Sequence, residues 1–237
     1  MRVSIIIPSY NQEKFVSEAI DSALRQIYFD KEIIVVDDAS TDGSANLVEN
    51  SFGSKVRLLR HKVNQGLVAT RNDALSMATG DLILPLDADD RLLPNYLERT
   101  IPRMTDDVGV VSSWMIMIVT PKMQESGHRD QFTGYPGSGW PIHTPSKEEI
   151  LTNNCLPTCS LIRHTVLKEL GGWPKNFTRG SEDWALWAKI TTMGKWRIEV
   201  VPEFLFIYRV HENSLSRSSI MAPQTEARKM VQEYCRG

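Results

Sequence analysis

Residues Gly80–Asp90 read GDLILPLDADD, an unbroken apolar run from Leu82 to Leu86 that stops abruptly at Asp87, Asp89 and Asp90. A run this short, without polar alternation, is the pattern of a strand covered on both faces. It follows a helical stretch, Leu67–Ala78, for which Gly80 is the expected C-terminal stop. The same unit recurs on the N-terminal side. Val3–Ile7 ends at Pro8 and feeds apolar positions at helical spacing from Phe15 to Leu24; Ile33–Val36 ends in Asp37-Asp38-Ala39-Ser40-Thr41-Asp42-Gly43, able to cap a helix over Ser44–Phe52; Val56–Leu59 leads to Asn64-Gln65-Gly66 and the Leu67 helix. Beyond Asp90 a Pro94-initiated helix and a strand near Val108–Val111 are expected. Buried strands separated by helices predict an α/β fold with a mostly parallel sheet, whose ligands sit at the carboxyl ends of the strands. Each polar cluster named here falls at such an end.

The second half reads differently. Glycines and prolines from Met123 to Pro145 predict a long loop. Ser146-Lys147-Glu148-Glu149 fits a capping box restarting a helix. A strand over Thr158–Ile162, a short helix over Val166–Leu170, a turn at Gly171–Pro174 and an amphipathic helix opened by Ser181-Glu182-Asp183-Trp184 follow, then apolar runs Trp196–Val201 and Leu205–Tyr208, a polar stretch His211–Ser219 and a terminal helix after Pro223.

Composition narrows the class. The 237 residues suffice to bury roughly 70% of the extended-chain surface in one large domain. With 27 basic against 29 acidic residues, the net charge of −2 offers no electrostatic footprint for nucleic acid. No apolar run approaches the ~18 residues of a membrane span, and the start lacks a signal-peptide pattern, so a cytoplasmic location is expected. Three cysteines, Cys155, Cys159 and Cys235, are too few for a disulfide framework, and the first two lack partners for a zinc site. The Asn176-Phe177-Thr178 sequon carries meaning only in a secreted chain.

Several residues are candidates for chemistry. In an extended segment Asp87 and Asp89 point the same way and form a hard-oxygen site for Mg²⁺ or Mn²⁺; the alternative is a solvated loop capping the Pro94 helix. Asp37 and Asp38 suit a ribose hydroxyl or a base N–H, or helix capping. Tyr10, in the loop Pro8-Ser9-Tyr10-Asn11-Gln12, offers a stacking surface or simple packing. Asp183, in the first turn of a helix, is held charged by the dipole and is either a general base or one of the acidic residues enriched at helix starts. His211 is a metal ligand, a phosphate partner or a surface histidine. No G-x-G-x-x-G follows the first strand and no phosphate-binding P-loop motif occurs.

In order, VSIIIPSYN (Val3–Asn11), EIIVVDDASTDGS (Glu32–Ser44), NQGLVATRNDAL (Asn64–Leu75), GDLILPLDADD, GGW (Gly171–Trp173), SEDWALW (Ser181–Trp187) and YRVHENSLS (Tyr208–Ser216) resemble a family 2 glycosyltransferase of the GT-A fold. The resemblance spans Arg2 to Ser216 and implies a Rossmann-like, mostly parallel sheet, with a nucleotide-sugar half (1–119) and an acceptor half (120–237) in one domain. It implies that Pro8, Tyr10, Asp37, Asp38, Arg71 and Asp87 line the nucleotide pocket, Asp38 reading base or ribose and Arg71 lying near the pyrophosphate. Asp89 and His211 would bind Mn²⁺ or Mg²⁺, and Asp183 would be the general base of an inverting, metal-dependent transfer. The donor implied is a nucleotide sugar, UDP-linked by preference, and the acceptor a glycan or lipid-linked saccharide, with Gln124–Pro145 and Cys155–Cys159 selecting it. Asp37, Asp38, Asp87, Asp89, Asp90 and Asp183 are expected to converge on one cleft. Ala39 stands where the family often has Gly, with little consequence expected. No transmembrane segment is expected; association with the inner face of the membrane through Arg217, Arg228, Lys229 and Arg236 is the alternative to a solvated helix face. A sugar-phosphate nucleotidyltransferase would need a glycine-rich basic loop where Pro8-Ser9-Tyr10-Asn11 stands. A catalytically silent nucleotide-binding scaffold would have no use for both Asp89 and Asp183.

Overall fold

The computed structural model describes residues 1–120, 137–212, 214 and 223–236. Strands β1 (Val3–Ser9), β2 (Lys31–Asp37), β3 (Arg57–Arg60) and β4 (Leu82–Pro85) alternate with helices α1 (Val16–Leu24), α2 (Ser44–Phe52) and α3 (Leu67–Met77). Then come β5 (Arg91–Leu92), α4 (Tyr96–Thr100), β6 (Val108–Val119), β7 (Gly137–Trp140), α5 (Lys147–Ile150), β8 (Leu161–Arg163), α6 (His164–Leu170), α7 (Glu182–Met193), β9 (Arg197–Val210) and α8 (Gln224–Arg236). All belong to one sheet in the order β3-β2-β1-β4-β8-β6-β9-β5, with β7 on β6. The first four strands pair in parallel, as their continuous apolar sequences require, and β1 is buried along its whole length. Beyond them the sheet is mixed: β8 is antiparallel to β4 and to β6, and β5 is antiparallel to β9.

Two expectations change here. The strand near Val108–Val111 extends to Val119, and the two apolar runs after Trp196 are a single strand, β9, parallel to β6. The break read at Pro202-Glu203 is an irregularity in register: Ser113 faces Val201 but Trp114 faces Phe204, so β9 absorbs its proline without ending. Of the expected Met123–Pro145 loop, 137–140 form β7; 121–136 lie outside the described residues, as do Arg217 and most of the polar stretch after His211.

Gly80 serves differently from a helix stop. Helix α3 ends at Met77, and at Gly80 the chain passes so close to β1 that a Cβ would lie 2.7 Å from the Ser4 nitrogen. The Ser146–Glu149 capping box is formed, though its helix is a single turn. Apolar side chains fill both faces of the sheet, Ile5, Ile7, Val35 and Leu84 on one, Ile6, Ile34, Val36 and Ile83 on the other with Trp184 and Trp187 of α7.

The opening that matters lies between β1 and β4. Their pairing ends at Ile6 and Pro85, whereas β1 continues through Pro8 to Ser9 beside β2. Strand order reverses there, and in sheets of this class that is where a crevice forms.

Candidate active site

At the end of β4 the chain turns at once. The Asp90 N–H donates to the Asp87 carbonyl at 3.0 Å, so the aspartates occupy a tight turn rather than the extended segment expected. Their carboxylates consequently diverge to three partners. Asp87 accepts from Arg71 Nη2 at 2.6 Å, Asp89 Oδ2 lies 2.9 Å from His211 Nε2, and Asp90 Oδ1 accepts the Arg209 backbone N–H at 2.8 Å. Burial, with Asp89 and Asp87 adding repulsion, pushes the Asp90 carboxyl well above the usual carboxylate range.

Arg209, absent from the expected site, braces this turn. Its Nε donates to the Asp89 carbonyl at 2.8 Å, its Nη2 to Glu18 at 2.8 Å, and its guanidinium stacks 4.7 Å from the Phe15 ring centre, beside His211.

Arg71 differs most from expectation. It is 1% exposed, sealed between Asp87 and Glu182, and its Nη1 donates to Glu182 Oε1. Burial opposes its charge, but Asp87 and Glu182 together raise its proton affinity above the normal arginine value. Burial likewise raises Glu182, against the pull of Arg71 and with Asp183 adding to it. Arg71 thus ties the β4 turn to the start of α7. A helical arginine and a Glu in an E-D pair give no sign in sequence that they meet.

Asp183 sits beside Glu182 in the first turn of α7, half-buried, as the helix-start reading predicts. It accepts hydrogen bonds from Thr158 Oγ1 at 3.0 Å, Asn154 Nδ2 at 3.1 Å and the Trp184 N–H at 2.7 Å. Its neighbour Glu182 pairs with Arg71, which in turn pairs with Asp87 of the β4 turn.

On the nucleotide side, Pro8 is buried at the end of β1, and Tyr10 is 46% exposed. Asp38 is 3% exposed and hydrogen-bonded through both carboxylate oxygens. Its oxygens accept the N–H groups of Gln65 and Gly66 at 2.8 Å each, and Oδ1 lies 2.8 Å from His61 Nδ1. Those amides precede α3, so Asp38 occupies the anion-favouring helix start itself. Asp37 accepts the Ser40 N–H at 3.0 Å, while its Oδ1 and the Oγ of Ser9, its register partner on β1, are buried without a hydrogen-bond partner among the described residues. The six aspartates expected in one cleft have two sets of partners. Asp87, Asp89, Asp90 and Asp183 interact around the β4 turn, and Asp37 and Asp38 serve the loops beside β2. Ala39, next to Asp38, adopts φ 59°, the left-handed conformation that makes Gly the usual choice there.

Among the described residues no group of three His, Cys, Asp or Glu side chains assembles a metal site. The Asp89–His211 pair suits a cation that takes one or two protein ligands and draws the rest from substrate phosphates and water.

Residues 4–171 match the model for glycosyl transferase family 2. The chain belongs to this family. A Haemophilus influenzae protein described as an uncharacterized glycosyltransferase is 26% identical over 98% of this chain and 72% of its own length. An Escherichia coli enzyme, the UDP-Glc:alpha-D-GlcNAc-diphosphoundecaprenol beta-1,3-glucosyltransferase WfgD, is 41% identical over 43% of this chain and 40% of its own. Among solved structures, Staphylococcus aureus TarS with UDP-GlcNAc superimposes with a TM-score of 0.75 at 21% identity, over 99% of this chain and 66% of that one. A Pyrobaculum calidifontis mannosyltransferase with GDP-Man and Mn²⁺ gives 0.65 at 20% identity, over 99% and 69%. The family 2 chain thus has the mixed α/β fold of GT-A glycosyltransferases, with a central sheet flanked by helices. Among its described residues no helix is long and apolar enough to cross a membrane.

Proposed function

We propose that this chain transfers a sugar from a nucleoside-diphosphate sugar, UDP-linked by preference, to a hydroxyl of a glycan or lipid-linked saccharide, inverting the anomeric carbon. The observation that carries the reading is the meeting, through Arg71, of the β4 carboxylate turn with the helix start that bears Asp183. The E. coli relative uses UDP-glucose, TarS holds UDP-GlcNAc and the Pyrobaculum structure holds GDP-Man with Mn²⁺, and donor chemistry of that class suits the crevice between β1 and β4.

Pro8 and Tyr10 would form the wall for the base, with Asp37 beside them. Asp38 would act by fixing the Asn64–Gly66 loop, and Arg71 by holding Asp87 towards the diphosphate side. A divalent cation, Mn²⁺ or Mg²⁺, held by Asp89 and His211 would neutralise charge on the departing diphosphate. Asp183 takes the proton of the acceptor hydroxyl. The acceptor oxygen then bonds to the anomeric carbon on the face opposite the leaving group. The bond from that carbon to the diphosphate oxygen breaks, and its electron pair leaves with the nucleoside diphosphate. Arg209 keeps the Asp89 turn in place.

The test is a panel of UDP-, GDP- and dTDP-sugars with Mn²⁺ and mixed saccharide acceptors, read as release of nucleoside diphosphate. Release that needs the metal and disappears in Asp183→Asn is the expected result. Release unchanged in that variant contradicts the base assignment.

A further inference from the structure

Asp183 has three hydrogen-bond donors, and their distribution between its two oxygens is unequal. An ionised carboxylate has about four acceptor positions, two on each oxygen. Oδ2 receives Thr158 Oγ1 at 3.0 Å and Asn154 Nδ2 at 3.1 Å, which fills it. Among the described residues Oδ1 receives only the Trp184 N–H at 2.7 Å, from its own helix, and so keeps one position free. The charged neighbours Arg71, Glu182 and Asp87 pair with one another.

We propose, resting on the reading of Asp183 as general base, that Thr158 and Asn154 are positioning residues that pin Oδ2 and thereby make Oδ1 the oxygen that takes the acceptor proton. Both come from the segment between α5 and β8, part of which was expected only to select the acceptor. An exposed Asn donor would be a weak anchor on a free loop, but this segment is clamped at both ends. From α8, Arg228 Nε donates to the Thr152 carbonyl at 2.9 Å, Gln232 Nε2 to the Leu151 carbonyl at 3.2 Å and Gln224 Nε2 to Asn153 Oδ1 at 3.1 Å. At the other end Leu156 and Cys159 are buried, and Tyr96 Oη donates to the Cys159 carbonyl at 3.1 Å. The terminal helix, including an arginine that sequence offered to a lipid surface, thus braces the loop that aims the base.

Thr158→Val keeps the shape of the side chain and removes the donor. With the same sugar-nucleotide panel and Mn²⁺, kcat should fall about tenfold in Thr158→Val and about a hundredfold when Asn154→Ala is added, the size expected for hydrogen bonds to a charged group, with KM for the sugar nucleotide within about twofold. Thr158→Ser should restore kcat. An unchanged kcat in Thr158→Val, or a loss that Ser does not rescue, overturns the positioning role, provided Asp183→Asn is inactive. If Asp183→Asn itself turns over, the underlying base assignment fails and the positioning role with it. A crystal structure of Thr158→Val reads the same point without turnover. A carboxylate turned about its Cβ–Cγ bond supports the role, and one unmoved from Oδ2 overturns it.

Discussion

The turn after β4 and the first turn of α7 both bring carboxylates to the same region, yet they are held by different kinds of partner. At β4, Asp87 meets Arg71 and Asp89 meets His211, while Glu182 shares Arg71 from the α7 side. Asp183, one residue on, receives hydrogen bonds among the described residues only from neutral donors, Thr158, Asn154 and a backbone N–H. The difference follows from what each must do. Carboxylates packed together out of water need a counter-charge to stay ionised. A group that gains and loses a proton during turnover is better oriented by neutral hydrogen bonds, which favour the charged form less than a direct cation would.

Removing the base breaks the comparison on one side only. Asp183→Asn should cut nucleoside diphosphate release about a thousandfold or more while leaving UDP affinity within about threefold, measured by titration calorimetry. Equal loss of both would make Asp183 part of the donor pocket. On the ionic side, Arg71→Met leaves Asp87 and Glu182 buried without their cation, and chemical denaturation should show a loss of about 3–5 kcal/mol. Arg71→Lys should recover only part of it, since an ammonium cannot fork between two carboxylates.

At the far end of the donor half a carboxylate is held mainly by neutral donors. Glu32 gathers Ser4 Oγ at 2.6 Å, the Thr79 N–H at 2.7 Å and Arg57 Nη1 at 3.2 Å, joining β1, β2, β3 and the approach to β4. Burial would raise its carboxyl, but these hydrogen bonds outweigh burial and bring it down from 4.5 to about 2. Because the folded state holds its proton less tightly than the unfolded state, the stabilisation is complete above pH 4.5 and drains away as pH falls towards about 2. Denaturation midpoints across that range should show the loss in the native chain and a flatter profile in Glu32→Gln. The smallest effect expected is at Ala39. With φ 59°, Ala39→Gly relieves left-handed strain and should stabilise by roughly 0.5 kcal/mol, net of the entropy that Gly adds to the unfolded chain.

Much of this was legible in sequence, and the reasons for the remainder are physical. Strands β1, β2 and β4 announce themselves as unbroken apolar runs, and the turn residues Asp87–Asp90 and the helix start at Glu182-Asp183 follow from local pattern. What local pattern does not carry is partnership across the fold. Arg71 pairs with Glu182 across 111 positions, and Arg209 reaches Asp89 across 120, so neither pair has a spacing to read. Thr158 and Asn154 lie in a stretch without periodicity, and only the fold shows that they face Asp183. Strand β9 was read as two because Pro202-Glu203 interrupts its apolar character, whereas a change of register against β6 keeps it continuous. Sequence offers Asp38 to a base or ribose, whereas in the fold it accepts the Gln65 and Gly66 N–H groups and lies 2.8 Å from His61 Nδ1.

A cation held at Asp89 and His211 should help the region between β1 and β4 bind a nucleoside diphosphate. Calorimetric titration of UDP into the chain, with Mn²⁺ and then with EDTA, tests it most directly. Binding should weaken at least about tenfold without the metal and equally in Asp89→Ala, a loss of about 1.4 kcal/mol or more. UDP binding of the same strength with Mn²⁺, with EDTA and in Asp89→Ala would contradict it.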